Sequence, residues 1–338
     1  MTQKALIAGC SGFELTTAER SFFREHRPCG LILFARNCVS RDQIADLAGA
    51  ARECVAGEEL LVLVDQEGGR VQRMGPPRWR KYPAARAFGR LYETDRGEGM
   101  EAAHAVARLM AADLFEAGIN ADCAPVLDVP VAGAHDIIGD RAYGEDPQTI
   151  IALARAFAQG LLDGGVLPVV KHIPGHGRAR ADSHKDLPVI SASLEELSES
   201  DFKPFAALND LPMAMTAHVV LSAVDDVAPA SVSAPIMAQV IRRRIGFGGL
   251  VMSDDLDMAA LAGSLAERAA GVIAAGCDVA LHCSGVPGDM QAVADAVPQL
   301  SGAALERLGQ AFGRLKAPVA FDAERAENLL EKALSAVA

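Results

Sequence analysis

The chain has 338 residues, half of them hydrophobic, and a formal net charge of −12 at pH 7, so it can bury a large core. The negative charge disfavours nucleic acid and anionic membranes as partners, and no apolar run reaches the roughly 18 residues that a membrane helix needs. The N-terminus lacks the long apolar segment of a secretory signal, and seven scattered cysteines do not suggest a disulfide framework, which together indicate a cytoplasmic protein with reduced thiols.

Short apolar runs rich in Val, Ile and Leu are predicted to be strands. Most of them are apolar without alternation, which is typical of parallel strands that helices cover on both faces. The runs span residues 4–9, 30–35, 60–68, 120–129, 168–175, 211–218, 249–255 and 277–283.

Segments with helical spacing lie between these runs, and examples are 41–56 and 101–118. The second of them stops at Gly118, a candidate glycine after the last helical turn. From about residue 300 onward, two further helices are predicted to pack on the outside of the fold.

This alternation predicts the fold class. Eight β–α units within about 285 residues match a (β/α)₈ TIM barrel, and a doubly wound open sheet is the alternative. No low-complexity linker or internal repeat divides the chain, so residues 1–338 are expected to form a single-domain α/β barrel with extra C-terminal helices.

Polar residues gather where the apolar runs finish. In a barrel, the carboxyl ends of the strands and the loops that follow them build the active site. The residues at these ends are Asp65, Glu67, Asp128, Lys171, His172, His218, Asp254 and Asp255.

The stretch 171–188 contains His172, His176 and His184, which could be metal ligands, part of a phosphate-binding loop, or acid–base groups. The segment RARADS after the glycines has almost nothing to bury, so we expect an exposed, mobile loop. Within it, Asp182 and His184 would point the same way if the backbone is extended, and the carboxylate could then orient the imidazole for proton transfer. A surface segment with no role is the alternative.

The run 249–255 ends in consecutive carboxylates, which are costly to bury unless they are paired or used. Because adjacent strand residues face opposite sides, only one of Asp254 and Asp255 is expected to point into the barrel mouth. Asp255 or Asp257 could instead cap a helix, and the pattern alone does not choose between these roles.

The loop after the third run carries Asp65, Glu67, Arg70 and Arg73 around two glycines, without a nucleotide-binding fingerprint. A carboxylate beside an arginine suits a sugar, whose hydroxyls are both donors and acceptors, but an ion pair that braces the loop is an equal alternative. A later loop, 137–147, holds Arg141.

Taken together, these motifs resemble glycoside hydrolase family 3, and within it the cytoplasmic β-N-acetylglucosaminidases of peptidoglycan recycling. The resemblance runs over most of the chain, and the order and spacing of the set are far more specific than any single motif. The motifs are GLILFARN (30–37), VDQEGGRVQR (64–73), APVLDV (124–129), IGDRAYGEDP (138–147), KHIPGHG (171–177), DSH (182–184), AH (217–218) and MSDDLDM (252–258).

The resemblance implies a retaining enzyme that removes a terminal β-linked GlcNAc from a small-molecule carbohydrate substrate such as a muropeptide. It implies that Asp254 is the nucleophile and that His184 is the acid/base, with Asp182 as its partner. It implies no cofactor and no metal in the reaction. The positions that match the family's sugar-binding residues are Asp65, Arg73, Arg141, Lys171 and His172.

Two positions depart from the family pattern: Ile173 stands where phenylalanine is common, and Asp257 stands where serine is common. Neither departure touches a catalytic role that the resemblance implies.

Other functions remain open at the level of sequence. A neutral imidazole repels phosphate less than a carboxylate does, so phosphorolysis of the same glycosides is one alternative. A β-glucosidase of the same family is another, although the chain carries the DSH element instead of a second domain. A metal-dependent amidohydrolase barrel and a non-catalytic sugar-binding barrel are the alternatives from other classes.

Overall fold

The computed structural model describes residues 3–55, 57–183 and 186–336. The strands within these ranges are, in chain order, β1 (Lys4–Ala8), β2 (Pro28–Leu33), β3 (Leu61–Val64), β4 (Gln66–Gly68), β5 (Val71–Gln72), β6 (Ala121–Asp122), β7 (Leu167–Ile173), β8 (Val189–Ile190), β9 (Met213–Thr216), β10 (Val220–Leu221), β11 (Leu250–Asp255) and β12 (Val279–His282).

Eight of these strands form a closed parallel barrel, in the order β1, β2, β3, β6, β7, β9, β11 and β12. The barrel closes where β12 pairs with β1, with Leu6 opposite Ala280 and Ala8 opposite His282. Each predicted apolar run overlaps one barrel strand, so the predicted TIM barrel is confirmed and the open-sheet alternative is wrong.

Helices surround this barrel. The helices are α1 (Thr17–His26), α2 (Arg41–Cys54), α3 (Ala85–Thr94), α4 (Arg96–Glu116), α5 (Pro147–Asp163), α6 (Leu194–Glu199), α7 (Phe202–Ala207), α8 (Leu265–Ala275), α9 (Pro287–Ala296), α10 (Gly302–Phe312) and α11 (Ala323–Ser335), with a π-helix at Ile236–Arg244 and 3₁₀ turns at Ala35–Asn37, Gly139–Arg141 and Ala230–Val232.

The strands are apolar on both faces because each face contacts a different core. In β3, Leu61 and Leu63 point into a cluster inside the barrel, whereas Val62 and Val64 join the larger cluster between the barrel and the helices. This double burial explains why the runs show no polar alternation.

The C-terminal helices differ from each other in where they pack. Helix α11 lies on the outside against α3 and α4, as predicted. Helix α10 does not, because Leu308, Ala311 and Phe312 belong to the cluster inside the barrel. Helix α10 contacts β11, and the backbone N–H of Leu300, just before α10, donates to the carbonyl of Gln3, just before β1, so α10 begins near the amino end of that strand.

Gly118 follows α4 with a φ of 76°, a left-handed conformation that glycine adopts at low cost, as the sequence indicates. Among the described helices, none combines the length and the apolar character needed to cross a bilayer.

Candidate active site

A cavity of about 220 Å³ opens at the carboxyl end of the barrel strands. Ile32, Met215 and Leu281 line it, and these side chains also belong to the apolar cluster inside the barrel, so the cavity has an apolar floor. Its walls are polar and carry the side chains Asp65, Glu67, Arg70, Arg73, Arg141, Lys171, His172, His176, Ser183, Asp254 and Asp255.

Lys171 is the centre of an ion-pair network on one wall. Its Nζ lies 2.9 Å from Asp65 Oδ1 and 2.6 Å from Glu67 Oε1, and the residue is only 2% exposed. Burial lowers the pKa of Lys171, but the two carboxylates outweigh burial and raise it above its ordinary value. The lysine is therefore a fixed cation.

The two carboxylates of this network each have a second cationic partner. Arg73 Nη2 donates to Asp65 Oδ2 at 3.0 Å, and the Arg141 guanidinium donates two bonds of 2.8 Å to Glu67. Burial would raise the pKa of Glu67, but Lys171 and Arg141 hold it at about 2. The same balance, through Lys171 and Arg73, lowers the pKa of Asp65. Both side chains are therefore ionised.

His172 is oriented by Asp128, which lies buried behind it. The His172 Nδ1 lies 2.6 Å from Asp128 Oδ2, and the backbone N–H of His176 donates to Asp128 Oδ1 at 2.7 Å. Burial raises the pKa of Asp128, but His172 outweighs it and the net shift is downward. A proton on Nδ1 leaves the Nε2 of His172 as an acceptor in the cavity, 3.4 Å from Arg141 Nη2.

His176 is a buried residue that ties the following loop to the barrel. Its Nε2 lies 3.0 Å from Ser183 Oγ. Burial, with a smaller contribution from His172, lowers the pKa of His176 to about 4, so its ring is neutral near pH 7. The imidazole therefore holds the loop by hydrogen bonding and carries no charge.

The loop that follows β7 is less exposed than its composition indicates. Ala179 is 1% exposed and Ser183 is 3% exposed, and Arg178 Nε donates to the buried carboxylate of Asp201 at 2.7 Å. The expectation that this segment has almost nothing to bury was wrong, because small side chains fit against the barrel while the arginines reach outward or pair.

His184, the residue to which the resemblance gives the acid/base role, lies outside the described residues. Asp182 is described: it is partly buried, and its backbone carbonyl accepts the N–H of Asp186 at 3.0 Å. The pairing of Asp182 with His184 stays a prediction.

Asp254 and Asp255 both line the cavity, whereas strict strand alternation predicts that only one of them points into the barrel mouth. The pairing between β11 and β12 shifts register between Met252 and Asp255, and this irregularity breaks the strict alternation of sides. The helix-capping alternative is also wrong for both Asp255 and Asp257, because the next helix, α8, begins at Leu265 and is capped by Ser264.

The two neighbouring carboxylates differ in their surroundings. Asp254 Oδ1 accepts the backbone N–H of Asp255 at 2.8 Å. Asp255 Oδ1 accepts the N–H groups of Asp257 and Cys283, each at 3.2 Å. Burial, followed by the charges of Asp257 and Asp254, raises the pKa of Asp255 to about 6.

His218 supports this segment from below without facing the cavity. It is fully buried, its Nδ1 lies 2.7 Å from Ser231 Oγ, and its Nε2 lies 3.0 Å from the backbone carbonyl of Asp255. A supporting role behind the site is consistent with this position.

Sequence reasoning named six residues that the barrel brings together around this cavity. It did not assign a role to Glu67, Asp128 or Ser183. Glu67 and Asp128 stand at the ends of apolar runs, which was a usable signal, whereas nothing in the local pattern marks Ser183. The six are Asp65, Arg73, Arg141, Lys171, His172 and Asp254.

The sequence model described as the N-terminal domain of glycosyl hydrolase family 3 matches residues 6–316 of this chain. The chain belongs to glycosyl hydrolase family 3. As a family 3 glycoside hydrolase it is an enzyme, and this membership argues against the amidohydrolase alternative.

Several relatives resemble this family 3 chain over most of their length. A β-hexosaminidase of Bordetella avium is 38% identical over 286 residues, which cover 82% of this chain and 80% of that protein. A β-hexosaminidase of Chromobacterium violaceum is 38% identical over 321 residues, covering 92% and 87%. The crystal structure of NagZ from Neisseria gonorrhoeae in complex with N-trifluoroacetyl-D-glucosamine is 31% identical, with a TM-score of 0.87, and covers 100% of this chain and 99% of that one.

Proposed function

We propose that this chain is a retaining exo-β-N-acetylglucosaminidase, which removes a β-linked GlcNAc from the non-reducing end of its substrate. The observation that carries the proposal is the setting of Asp254 within the cavity. Asp254 lines the cavity, and no lysine, arginine or histidine among the described residues lies within 4.0 Å of its carboxylate. Asp65 and Glu67, in contrast, both form ion pairs with lysine and arginine side chains.

An unpaired carboxylate is suited to nucleophilic attack, because its electron pairs are not already committed to a cation. In the proposed mechanism Asp254 attacks the anomeric carbon and forms a covalent glycosyl-aspartate. His184 donates a proton to the departing glycosidic oxygen, so that the alcohol leaves neutral. His184 then takes a proton from the incoming water, which attacks the anomeric carbon and releases Asp254.

Asp182 is proposed to orient His184 and to stabilise its charged form. The two reacting groups of a retaining glycosidase lie roughly 5–5.5 Å apart, so His184 is expected to come that close to Asp254 during the reaction. Ser183, the residue before His184, is held by His176 on the cavity wall. That contact supports the proposal that the next residue reaches the substrate.

The opposite wall is proposed to hold the sugar ring through Asp65, Arg73, Arg141, Lys171 and His172. Paired carboxylates and cations present acceptors and donors side by side, and adjacent sugar hydroxyls need both. The apolar floor stops the cavity inside the barrel, so a sugar ring that enters the cavity has no exit at its far side. This supports removal of a terminal residue.

The names of the relatives support the sugar specificity. Two are β-hexosaminidases, and the NagZ of Neisseria gonorrhoeae has been crystallised with an N-acylated glucosamine. We therefore propose GlcNAc-1,6-anhydroMurNAc peptides of cell-wall recycling as the natural substrate. None of the seven cysteines, all within the described residues, forms a disulfide, which supports a reducing cytoplasm. We also propose that residues 1–338 act as one glycosidase domain.

The test is to trap the covalent intermediate. The protein is incubated with 2-acetamido-2-deoxy-5-fluoro-glucosyl fluoride, digested, and mapped by mass spectrometry. We expect one label, on Asp254, and no label in Asp254→Asn. A label on another residue, or full activity with no label, would contradict the assignment of the nucleophile.

A second variant separates the two proposed roles. His184→Ala should still accept the label, because fluoride leaves without a proton, but it should turn over slowly. Azide should then restore turnover and give the β-glycosyl azide, because azide attacks without a general base. Adding phosphate to the wild-type protein distinguishes hydrolysis from phosphorolysis, since only phosphorolysis yields GlcNAc 1-phosphate.

A further inference from the structure

A second cluster of titratable side chains lies beside the proposed nucleophile, where β11 and β12 end. Asp255 is the last residue of β11, Asp257 lies in the turn that follows, and His282 is the last residue of β12. One potential ligand atom from each of these side chains lies within 4.8 Å of the other two. The proposed reaction does not use Asp257 or His282.

His282 has an unsatisfied nitrogen that faces this cluster. The residue is fully buried, and its Nδ1 has no hydrogen-bond partner among the described residues. The nearest acidic atom is Asp257 Oδ2 at 3.5 Å, too far for a hydrogen bond. A buried polar nitrogen without a partner is costly, so its position needs another explanation.

The other nitrogen of His282 is already engaged. Its Nε2 lies 2.9 Å from Ser284 Oγ, and that oxygen also accepts the backbone N–H of Val286 at 3.1 Å. If Nε2 carries the proton and donates it to Ser284, Nδ1 presents a lone pair toward Asp257. Metal-binding histidines show this arrangement, in which the second ring N–H donates to a neighbouring group and fixes the ring.

The carboxylates in this segment have no lysine or arginine partner in the part of the chain that the structure describes. Asp254, Asp255 and Asp257 fall within four residues, and no lysine or arginine in the described ranges lies within 4.0 Å of any of their carboxylate oxygens. Their mutual repulsion would fall if a cation were bound among them. Asp257 is partly exposed to solvent, which gives an ion a route to the buried nitrogen.

We propose that Asp255, Asp257 and His282 bind one divalent transition-metal ion of the zinc class, with water completing the coordination. Two carboxylate oxygens and one imidazole nitrogen suit Zn²⁺ better than Ca²⁺ or Mg²⁺, which prefer oxygen ligands alone. Ligands about 2.0–2.1 Å from a tetrahedral zinc lie about 3.3 Å from each other. The 3.5 Å between Asp257 Oδ2 and His282 Nδ1 is close to that spacing.

The ion would link the ends of β11 and β12 and would hold the backbone that carries Asp254. It takes no part in the reaction, for which the sequence predicts no metal. Asp257 stands where the resembling family commonly has serine, so the site is expected to be a property of this chain. The binding proposal also does not depend on the proposed glycosidase mechanism.

The test is metal binding to the full chain after removal of bound ions with a chelator. Zinc is titrated by calorimetry, bound zinc is counted by plasma mass spectrometry, and the midpoint of thermal unfolding is recorded with and without zinc. We expect Asp257→Ser and His282→Gln to lose one equivalent of zinc or at least tenfold in affinity. We also expect both to lose the zinc-dependent rise in the unfolding midpoint.

The control is His104→Gln, which removes another histidine paired with an aspartate, since His104 Nε2 lies 2.9 Å from Asp163 Oδ2. It should bind zinc like the wild type. Zinc held elsewhere, such as at the proposed acid/base, would be equal in all four proteins and would not change the comparison. Equal binding by Asp257→Ser and the wild type would overturn the proposal, and because Asp257 is partly exposed that variant is expected to fold.

Discussion

Lys171→Met is the substitution that tests the ion-pair network most directly. Methionine keeps most of the side-chain volume but removes the charge that lies 2.9 Å from Asp65 and 2.6 Å from Glu67. Asp65 keeps Arg73 and Glu67 keeps Arg141, so neither carboxylate is left without a cation. The two negative charges nevertheless lose the cation that separates them.

The expected cost follows from burial. Removing one partner of a buried ion pair destabilises a protein by about 3–5 kcal/mol, and the remaining arginines place this variant near the lower end, at about 3 kcal/mol. In the wild type the pKa of Glu67 is held at about 2, below its value in the unfolded chain. The network's contribution is thus present above about pH 4 and is lost as the pH falls toward 2.

In the variant, the pH dependence of the free energy of unfolding should change. Without Lys171 the pKa values of Asp65 and Glu67 rise, so both groups take up protons at a higher pH in the folded variant than in the folded wild type. The stability difference between variant and wild type should therefore be largest near pH 7 and should shrink below about pH 4.

Urea unfolding, followed by the fluorescence of Trp79, the one tryptophan in the chain, measures both effects. Lys203→Met is the control, because Lys203 is exposed and its one ion pair among the described residues is with Glu199, four residues earlier in the chain. It should change stability by no more than about 0.5 kcal/mol. A loss of less than about 1 kcal/mol for Lys171→Met, or an equal loss at both pH values, would refute the reasoning.

Two further predictions concern the loop after β7. Gly177→Ala should destabilise the protein by more than about 2 kcal/mol in urea unfolding, because the new Cβ would lie 2.0 Å from the carbonyl oxygen of Val129. The control is Gly309→Ala on α10, where the new Cβ would meet no other atom. It should stabilise the protein by about 0.5–1 kcal/mol. His176 has a folded pKa of about 4, so its contribution to stability is present above the unfolded value of about 6.5 and is lost as the pH falls to about 4. His176→Gln should flatten the stability curve across that window, and an unchanged slope would contradict the assignment.

The barrel could be predicted from the sequence because each buried strand appears as a short run of consecutive apolar residues. Leu61 and Val62 contact different cores, so both must be apolar, and the resulting continuous run is distinct from an amphipathic helix. The helix α10 could not be placed in the same way. Its apolar positions indicate a buried face, but they do not say whether that face meets the outside of the barrel or its open end.

Some features of the site could likewise be predicted from the sequence, and others could not. Lys171 and Asp254 could be found because charge at the end of a buried run is costly without a use. The presence of both Asp254 and Asp255 on the cavity lining could not be predicted in this way, because it accompanies a register shift against β12, which the alternation within one strand does not reveal. The role of Ser183 depends on its contact with His176, and a serine in a polar loop gives no local sign of such a partner.

The pairing of β1 with β12 has a consequence for the order in which the nascent chain folds. Leu6 lies opposite Ala280, so the ribosome must release the chain beyond residue 280 before β1 can pair with β12. Until then the growing sheet has two open edges, and such edges can pair with other chains. Closing contacts of such long sequence separation also form slowly. A polypeptide truncated before Val279 would keep both edges, so we expect chaperones to engage the chain during this interval, before any catalytic surface exists.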